Sequence, residues 1–535
     1  MEHSALHALL LCGLSVALGG VLAVWWLIFP AARKVNQPVS PALLASIERL
    51  IFIGALAAVL ATVGDFFVQG AEIENRTIFA GVDLSLVLRF ARSTTVGQLN
   101  VLRGILLLLT ALAVRLLPGF WKWSITGLLA LGALVANAFV SHAAAQPEQR
   151  ALYIGSQIVH LVAVAAWMGV LLHLFVARRH LLTPEGIPLL ADIVRRFSPY
   201  ALAATSLLMI TGLLAAWRFL ETTGALFTSA YGLTLVVKLV MLSPALFAGF
   251  LNFRVIRPAL LAPPGDVQPL LRRFARMLEL EATAGVLVIT VAGILGSISP
   301  PGEGGNLRLT PEQTHAVLTP HWPTSHVDNW LTPDDPRGPT TDDLRYSEFM
   351  HNWSGVIVIF LGLGWMALAS GGRPAIWAGY INPFILVPFG IFIAVLANPE
   401  IWIIHSVSRW EALTNPQMLE HQIGAFLVFV LAWLSWRDLR NPAALRPLGY
   451  PLPIIMVVGS LLLLGHAHST PDVPDDLSNL INVQHAVFGA CGLFAGAARW
   501  YVLRDLLRGR WVNLIWPSWI IALGLFMAFI YREVV

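Results

Sequence analysis

The sequence predicts an all-α polytopic membrane helix bundle, and three observations carry that reading. Of 535 residues, 57% are apolar and only 12% charged, against about 25% charged in an average globular chain. Mean hydropathy is +0.72. The apolar residues fall into fourteen runs of roughly 20, the length that crosses a bilayer as a helix. Such a composition excludes a soluble enzyme, a disordered chain and a nucleic-acid binder. The formal net charge of +4 is too small to imply a polyanionic partner, so the lipid bilayer is the partner the composition requires. The two cysteines, Cys12 and Cys491, both lie in apolar runs and offer no disulfide pattern, CxxC clip or iron–sulfur ligand set.

The elements follow in order. The first run, 5–29, has no basic leader and leads into Arg33 and Lys34, which reads as a retained span, not a cleaved signal. Spans are then expected at 49–70, 98–117, 120–141, 151–176, 199–219, 229–252 and 277–298. The stretch 301–349 is rich in Pro, Thr, Asp and Gly without apolar period and reads as a linker outside the membrane. Six further spans follow at 352–370, 376–398, 420–436, 450–466, 483–503 and 513–531. The chain therefore divides into an eight-span domain (1–300), a linker (301–349) and a six-span domain (350–535). Charges inside spans are costly and are expected to face protein interior or a water-filled cavity. Asp65, Arg103, Lys238, Glu279 and Glu281 are of this kind, with Glu279 or Glu281 the candidate partners of Lys238.

Orientation follows from Lys and Arg in the loops. Arg33/Lys34, Lys122, Arg178/Arg179, Arg195/Arg196, Arg254/Arg272/Arg273, Arg373, Arg437/Arg440 and Arg504/Arg508/Arg510 all lie in alternate connections. The intervening loops are neutral or acidic, and 301–349 holds eight Asp/Glu against three Arg. Both termini and the linker are expected to face the periplasm of a bacterial inner membrane.

On this topology thirteen of the 15 histidines lie in outward loops or the outer half of spans; only His173 and His180 lie toward the inside. Neutral imidazole is the commonest protein ligand for transition metals, although histidines also settle at interfaces for purely structural reasons. Three inward-running spans begin alike, at His351-Asn-Trp-Ser-Gly355, Glu420-His421-Gln-Ile-Gly424 and Gln484-His485-Ala-Val-Phe-Gly489. An outward-running one ends in Gly465-His466-Ala-His468. His351, His421, His485 and one of His466 or His468 are thus expected in one outer layer. The glycines at His+4 are read as leaving room beside the imidazole. Such a layer suits copper, or haem b between two histidines among His351, His421, His466 and His485. In the first half, Ser141-His142 closes an outward span. The next span carries Gln157, His160, Trp167, Met168 and His173, with His160 and Met168 about two turns apart on a similar face. A structural hydrogen bond from His160 to a neighbouring helix is the competing reading.

The motifs Ser141-His142, His160-Leu-Val-Ala-Val-Ala-Ala-Trp167-Met-Gly169, Arg196-Phe-Ser-Pro199, Thr211-Gly212, Tyr231-Gly232 with Lys238, and Arg272-Arg273 with Glu279 and Ser299-Pro300-Pro301 resemble the membrane domain of the copper resistance protein D family. The resemblance covers 130–300 well and 1–130 loosely. It implies copper uptake or tolerance at a bacterial inner membrane, often beside a periplasmic copper carrier, with His142, His160, Trp167 and Met168 in the functional core. The six-span half departs from a minimal family member.

These features predict a copper-handling membrane protein that imports copper or delivers it to a cuproenzyme, with His142, His160, Met168, His351, His421, His466, His468 and His485 as metal residues. No phosphate-binding loop or phosphorylated-aspartate motif supplies an energy source, so a transporter or binding protein is expected before an enzyme. The alternatives are a b-type haem electron-transfer subunit and a metal-binding assembly factor or membrane anchor.

Overall fold

The computed structural model describes residues 2–73, 81–146, 148–261, 268–303, 307–325, 327, 340–371, 373–439, 449–465, 475–507, 509 and 511–535. Among these residues there is no strand. The long apolar helices are α1 (His3–Lys34), α2 (Pro41–Ala71), α3 (Thr95–Leu116), α4 (Gly119–Ala138), α5 (Arg150–Leu181), α6 (Pro184–Leu220), α7 (Ala230–Leu261), α8 (Gln268–Leu295), α9 (Thr341–Ser370), α10 (Trp377–Leu396), α11 (Met418–Arg437), α12 (Pro451–Leu464), α13 (Asp475–Leu503) and α14 (Val512–Phe529). Thirteen are long and apolar enough to cross a membrane; α12 is a shorter apolar helix. The protein is an all-α polytopic membrane bundle, and every predicted span coincides with a helix.

The chain forms two compact units, one of residues 2–221 and 238–297, the other of 222–237 and 298–535. In the first, α1 is the enclosed helix: 72% of its apolar window is buried, against 11% for α6, whose flank is left to lipid. Without a hydrophobic force between helices in lipid, close approach of backbones holds such bundles together. A Cβ on Gly13 would stand 2.4 Å from the Gly54 carbonyl oxygen, and one on Gly169 would stand 2.1 Å from that of Ser15. Those contacts set α1 against α2 and against a π-helical turn at Ala165–Gly169 within α5.

Several helices outrun their hydropathy windows because polar signals continue them. The α6 helix begins at Pro184, not near 199, after Thr183 Oγ1 accepts from the Gly186 amide at 3.1 Å. Its polar extension carries Asp192, 5% exposed, which gathers Lys34 (3.3 Å), Arg195 (2.6 Å) and Arg196 (2.7 Å). These are cations of the loops predicted to face inward.

In the second unit, α9 and α14 make the closest pair. A Cβ on Gly355 would lie 2.4 Å from the Ala528 amide nitrogen, and one on Gly524 would lie 2.7 Å from that of Ile359. Part of the predicted linker is ordered structure. Thr310 and Gln313 close a capping box on the helix Pro311–Leu318, and Leu309 and Val317 pack on Leu480 and Val483 of α13. A second capping box, Thr340 with Asp343, starts α9 at Thr341, and α13 starts at Asp475 with two acids in its first turn. His351 and His485 therefore sit well inside their helices, three turns in, and not in the first turn as expected from hydropathy.

Candidate metal centre

The mid-helix position decides how the two imidazoles are held. His351 Nδ1 donates to the Ser347 carbonyl at 2.9 Å, and His485 Nδ1 donates to that of Ile481 at 2.9 Å, each one turn back on its own helix. A carbonyl only accepts, so both rings carry their proton on Nδ1 and their lone pair on Nε2. Metal-ligating histidines are oriented by such second hydrogen bonds. The rings meet edge to face with centroids 5.5 Å apart. Phe488 packs on His485 at 5.2 Å and Tyr531 on His351 at 4.3 Å.

The residues after α14 close this end of the unit, which sequence reading missed. Tyr531, fully buried, donates from its hydroxyl to Glu533 Oε1 at 2.5 Å, and Ser347 Oγ donates to the same oxygen. Gln484 binds the backbone of Arg532 in both directions, accepting at 3.0 Å and donating at 2.8 Å. These polar residues follow the last apolar run without any motif, so only their contacts reveal them.

Of the predicted layer, then, the structure brings together His351 and His485. His421 instead has Nδ1 3.4 Å from Asn398 Oδ1; His466 and His468, like His326, lie outside the described residues. The glycines at His+4 serve another purpose than the one expected. Gly355 faces the α14 backbone, and a Cβ on Gly489 would lie 2.6 Å from the Leu464 side chain. They admit neighbouring helices, not the imidazoles.

In the first unit, His160 Nδ1 lies 2.8 Å from Thr211 Oγ1, and that hydroxyl donates onward to the Leu207 carbonyl at 2.6 Å. His160 thus donates from Nδ1, and its interhelical hydrogen bond joins α5 to α6. Lys238 of α7 interacts electrostatically with the same ring. Met168 is 3% exposed in the π-helical turn, with its sulfur against Gly285 of α8, where a Cβ would come within 2.3 Å of it. Trp167 is buried beside it. His142 has another partner: its Nε2 donates to the Gly296 carbonyl at 3.1 Å, and its ring meets the edge of Phe219. Glu281, one of the two acids expected near Lys238, accepts from Asn252 Nδ2 of the neighbouring helix at 2.6 Å. His173, nearly fully buried, donates from Nε2 to the Val16 carbonyl at 2.9 Å.

Among the described residues no three His, Cys, Asp or Glu side chains are grouped so as to hold one metal ion. What the fold offers are pairs of imidazoles and a buried thioether.

Residues 191–295 match the copper resistance protein D family, and residues 3–151 match the copper resistance protein D-like N-terminal domain. Over these two stretches the chain is similar to the copper resistance protein D family. Copper transport protein CutJ of Bacillus subtilis (strain 168) is 28% identical over 218 residues, which are 39% of this chain and 38% of that protein. The alignment thus spans well under half of either. No solved structure matches. With this many apolar helices, the chain is a polytopic membrane protein. The family matches leave the six-helix half, α9–α14, unassigned.

Proposed function

We propose that this protein takes copper at the outer face of a bacterial inner membrane and either passes it inward or delivers it to a cuproenzyme, with a periplasmic copper carrier as donor. The observation that carries this reading is the copper resistance protein D match over residues 3–151 and 191–295, which includes His142 and flanks the helix that carries His160 and Met168. In this reading residues 1–300 form the family's membrane domain, 301–349 a periplasmic linker, and 350–535 a second membrane domain that binds copper at His351 and His485, with His421, His466 and His468 as further ligands. Copper is cargo here, and imidazole with thioether suits its softer monovalent state.

The packing of the His351–His485 pair supports copper over haem. An edge-to-face contact filled by Phe488 and Tyr531 leaves no layer between the rings for a macrocycle. A haem subunit remains the second reading because two helices each present a carbonyl-oriented imidazole.

The test is cellular copper measured by mass spectrometry in a strain with and without the gene. Expression is expected to change copper content severalfold in copper-supplemented medium, and His351→Ala combined with His485→Ala is expected to abolish the change at equal membrane abundance. Copper content that is indifferent to expression would sink the transport reading. A pyridine haemochrome signal of the purified protein, lost in His485→Ala, would replace it by the haem reading.

A further inference from the structure

The stretch 301–349 reads from its composition as a linker outside the membrane, yet it leaves two large apolar side chains bare. Leu318 is 75% exposed and Trp322 85%, the highest value of any large apolar side chain among the described residues. The backbone around Trp322 cannot fold the ring away. The His321 amide donates to the Phe529 carbonyl at 2.8 Å, and the Thr324 amide donates to Asn352 Oδ1 at 3.0 Å. Arg532 donates to the Thr319 carbonyl at 2.6 Å. Residues 319–324 are thus fastened to the ends of α9 and α14, and Trp322 is held at the surface.

Its depth follows from α14. That helix is 18 residues long, or about 27 Å at about 1.5 Å per residue, close to the ~30 Å hydrocarbon core of a bilayer. Its two ends therefore stand at the two boundaries of the core. The Trp322 ring meets the edge of Phe529, the last residue of α14, with centroids 6.0 Å apart. On α9, the exposed Trp353 donates its indole N–H to the Thr324 carbonyl at 3.1 Å, and Gly355 abuts Ala528, so this part of α9 lies at the same level. Exposed tryptophans mark such boundaries elsewhere in the chain. Trp121, Trp217, Trp377 and Trp433 each lie within about one turn of the end of an apolar helix.

We propose that Trp322 docks the linker on the lipid bilayer, with its ring among the upper acyl chains and its N–H toward the headgroup oxygens. Indole settles at that level because its body is apolar and its N–H seeks an acceptor. Lipid is the occupant because Trp322 adjoins a flank that is already left to lipid. Trp353 and Phe360, seven residues apart and so on one face of α9, are both exposed on a helix apolar enough to cross the membrane. Trp322 extends that flank from the helix onto the linker. The linker then lies on the membrane and braces the ends of α9 and α14 against it. This inference does not rest on the copper reading, and it holds whichever side of the membrane the linker occupies.

The experiment uses the wild-type protein in nanodiscs of phosphatidylethanolamine and phosphatidylglycerol, doped with a phosphatidylcholine that carries a diazirine near the ester end of one chain. After irradiation, peptide mass spectrometry is expected to find lipid adducts on Trp322 and Trp353, and none on Glu312, which is exposed in the first turn of the linker helix. An unmodified Trp322 overturns the proposal. A nitroxide on Trp322→Cys, in a chain with Cys12 and Cys491 replaced by serine, gives an independent reading. Its ratio of collisions with oxygen to collisions with a water-soluble nickel chelate is expected to be severalfold above that of a nitroxide on Glu312→Cys. Equal ratios place position 322 in water or against a protein partner and overturn the proposal as well.

Discussion

Asn352 is completely buried, and its amide ties three stretches of the second unit together. Its Oδ1 accepts from the Thr324 amide at 3.0 Å, and its Nδ2 donates to the carbonyls of Met527 (2.9 Å) and Tyr531 (3.1 Å). Removing it takes the side-chain partner from the Thr324 amide and the Met527 carbonyl and one of two donors from the Tyr531 carbonyl, which His321 Nε2 also reaches, so Asn352→Ala is expected to cost about 1–3 kcal/mol, read as a fall in the thermal midpoint in detergent. Two positions beyond Tyr531, Glu533 responds to pH. Burial pushes its carboxyl up from 4.5 to about 7, although hydrogen bonds from Ser347 and Tyr531 work against that rise. Because the folded value lies above the unfolded one, the folded state binds the extra proton. The stabilisation is complete below about 4.5 and is lost as pH rises through about 7. Thermal midpoints measured across that range are expected to fall with rising pH, and Glu533→Gln is expected to flatten the profile. An unchanged slope in the variant would assign the dependence to another group.

Individual helices depend on backbone contacts that leave no room for a methyl group. Gly355 and Gly524 bring α9 against α14, and the atoms a Cβ would meet are backbone nitrogen and oxygen, which cannot swing aside as a flexible side chain does. Gly355→Ala is expected to destabilise the second unit by about 1–3 kcal/mol, whereas Gly424→Ala on α11, whose Cβ would meet nothing within 4 Å, is expected to be silent. Comparing their unfolding midpoints checks the difference. The same logic holds α1 against the π-helical turn, where Gly169 abuts the Ser15 carbonyl. A π-turn widens a helix locally and recurs at functional sites; here it carries Trp167 and Met168 into the core of the first unit.

At the scale of the whole molecule, the alternation of loop charge predicts that both termini and the 301–349 segment lie outside. In a variant with Cys12 and Cys491 replaced by serine, cysteine introduced at the exposed Ser325 is expected to react with an impermeant maleimide in intact spheroplasts. Labelling only after lysis would invert the topology and move the proposed copper sites to the cytoplasmic side. Ser325 is preferred to the adjacent Thr324, whose hydroxyl donates to Glu348 at 3.1 Å.

What the sequence determined by itself was everything that depends on transfer between water and lipid. The number and position of the helices are sums over local composition, because in a bilayer each helix satisfies its own backbone, and the sidedness expected of the loops and histidines is drawn from the same sums. The motifs around His142, His160 and Met168 were legible for the same reason, being short and contiguous. Tertiary structure decided what depends on helix ends and helix order. Capping boxes at Thr340 and Thr310 extend helices past their apolar windows, which moves His351 and His485 from first turns to helix interiors. Packing then selects that pair, gives His421 to Asn398, and brings residues some 180 positions apart, Ser347 and Glu533, onto one carboxylate oxygen. No periodicity in the chain encodes these meetings, since each is fixed by which small residues let two backbones touch.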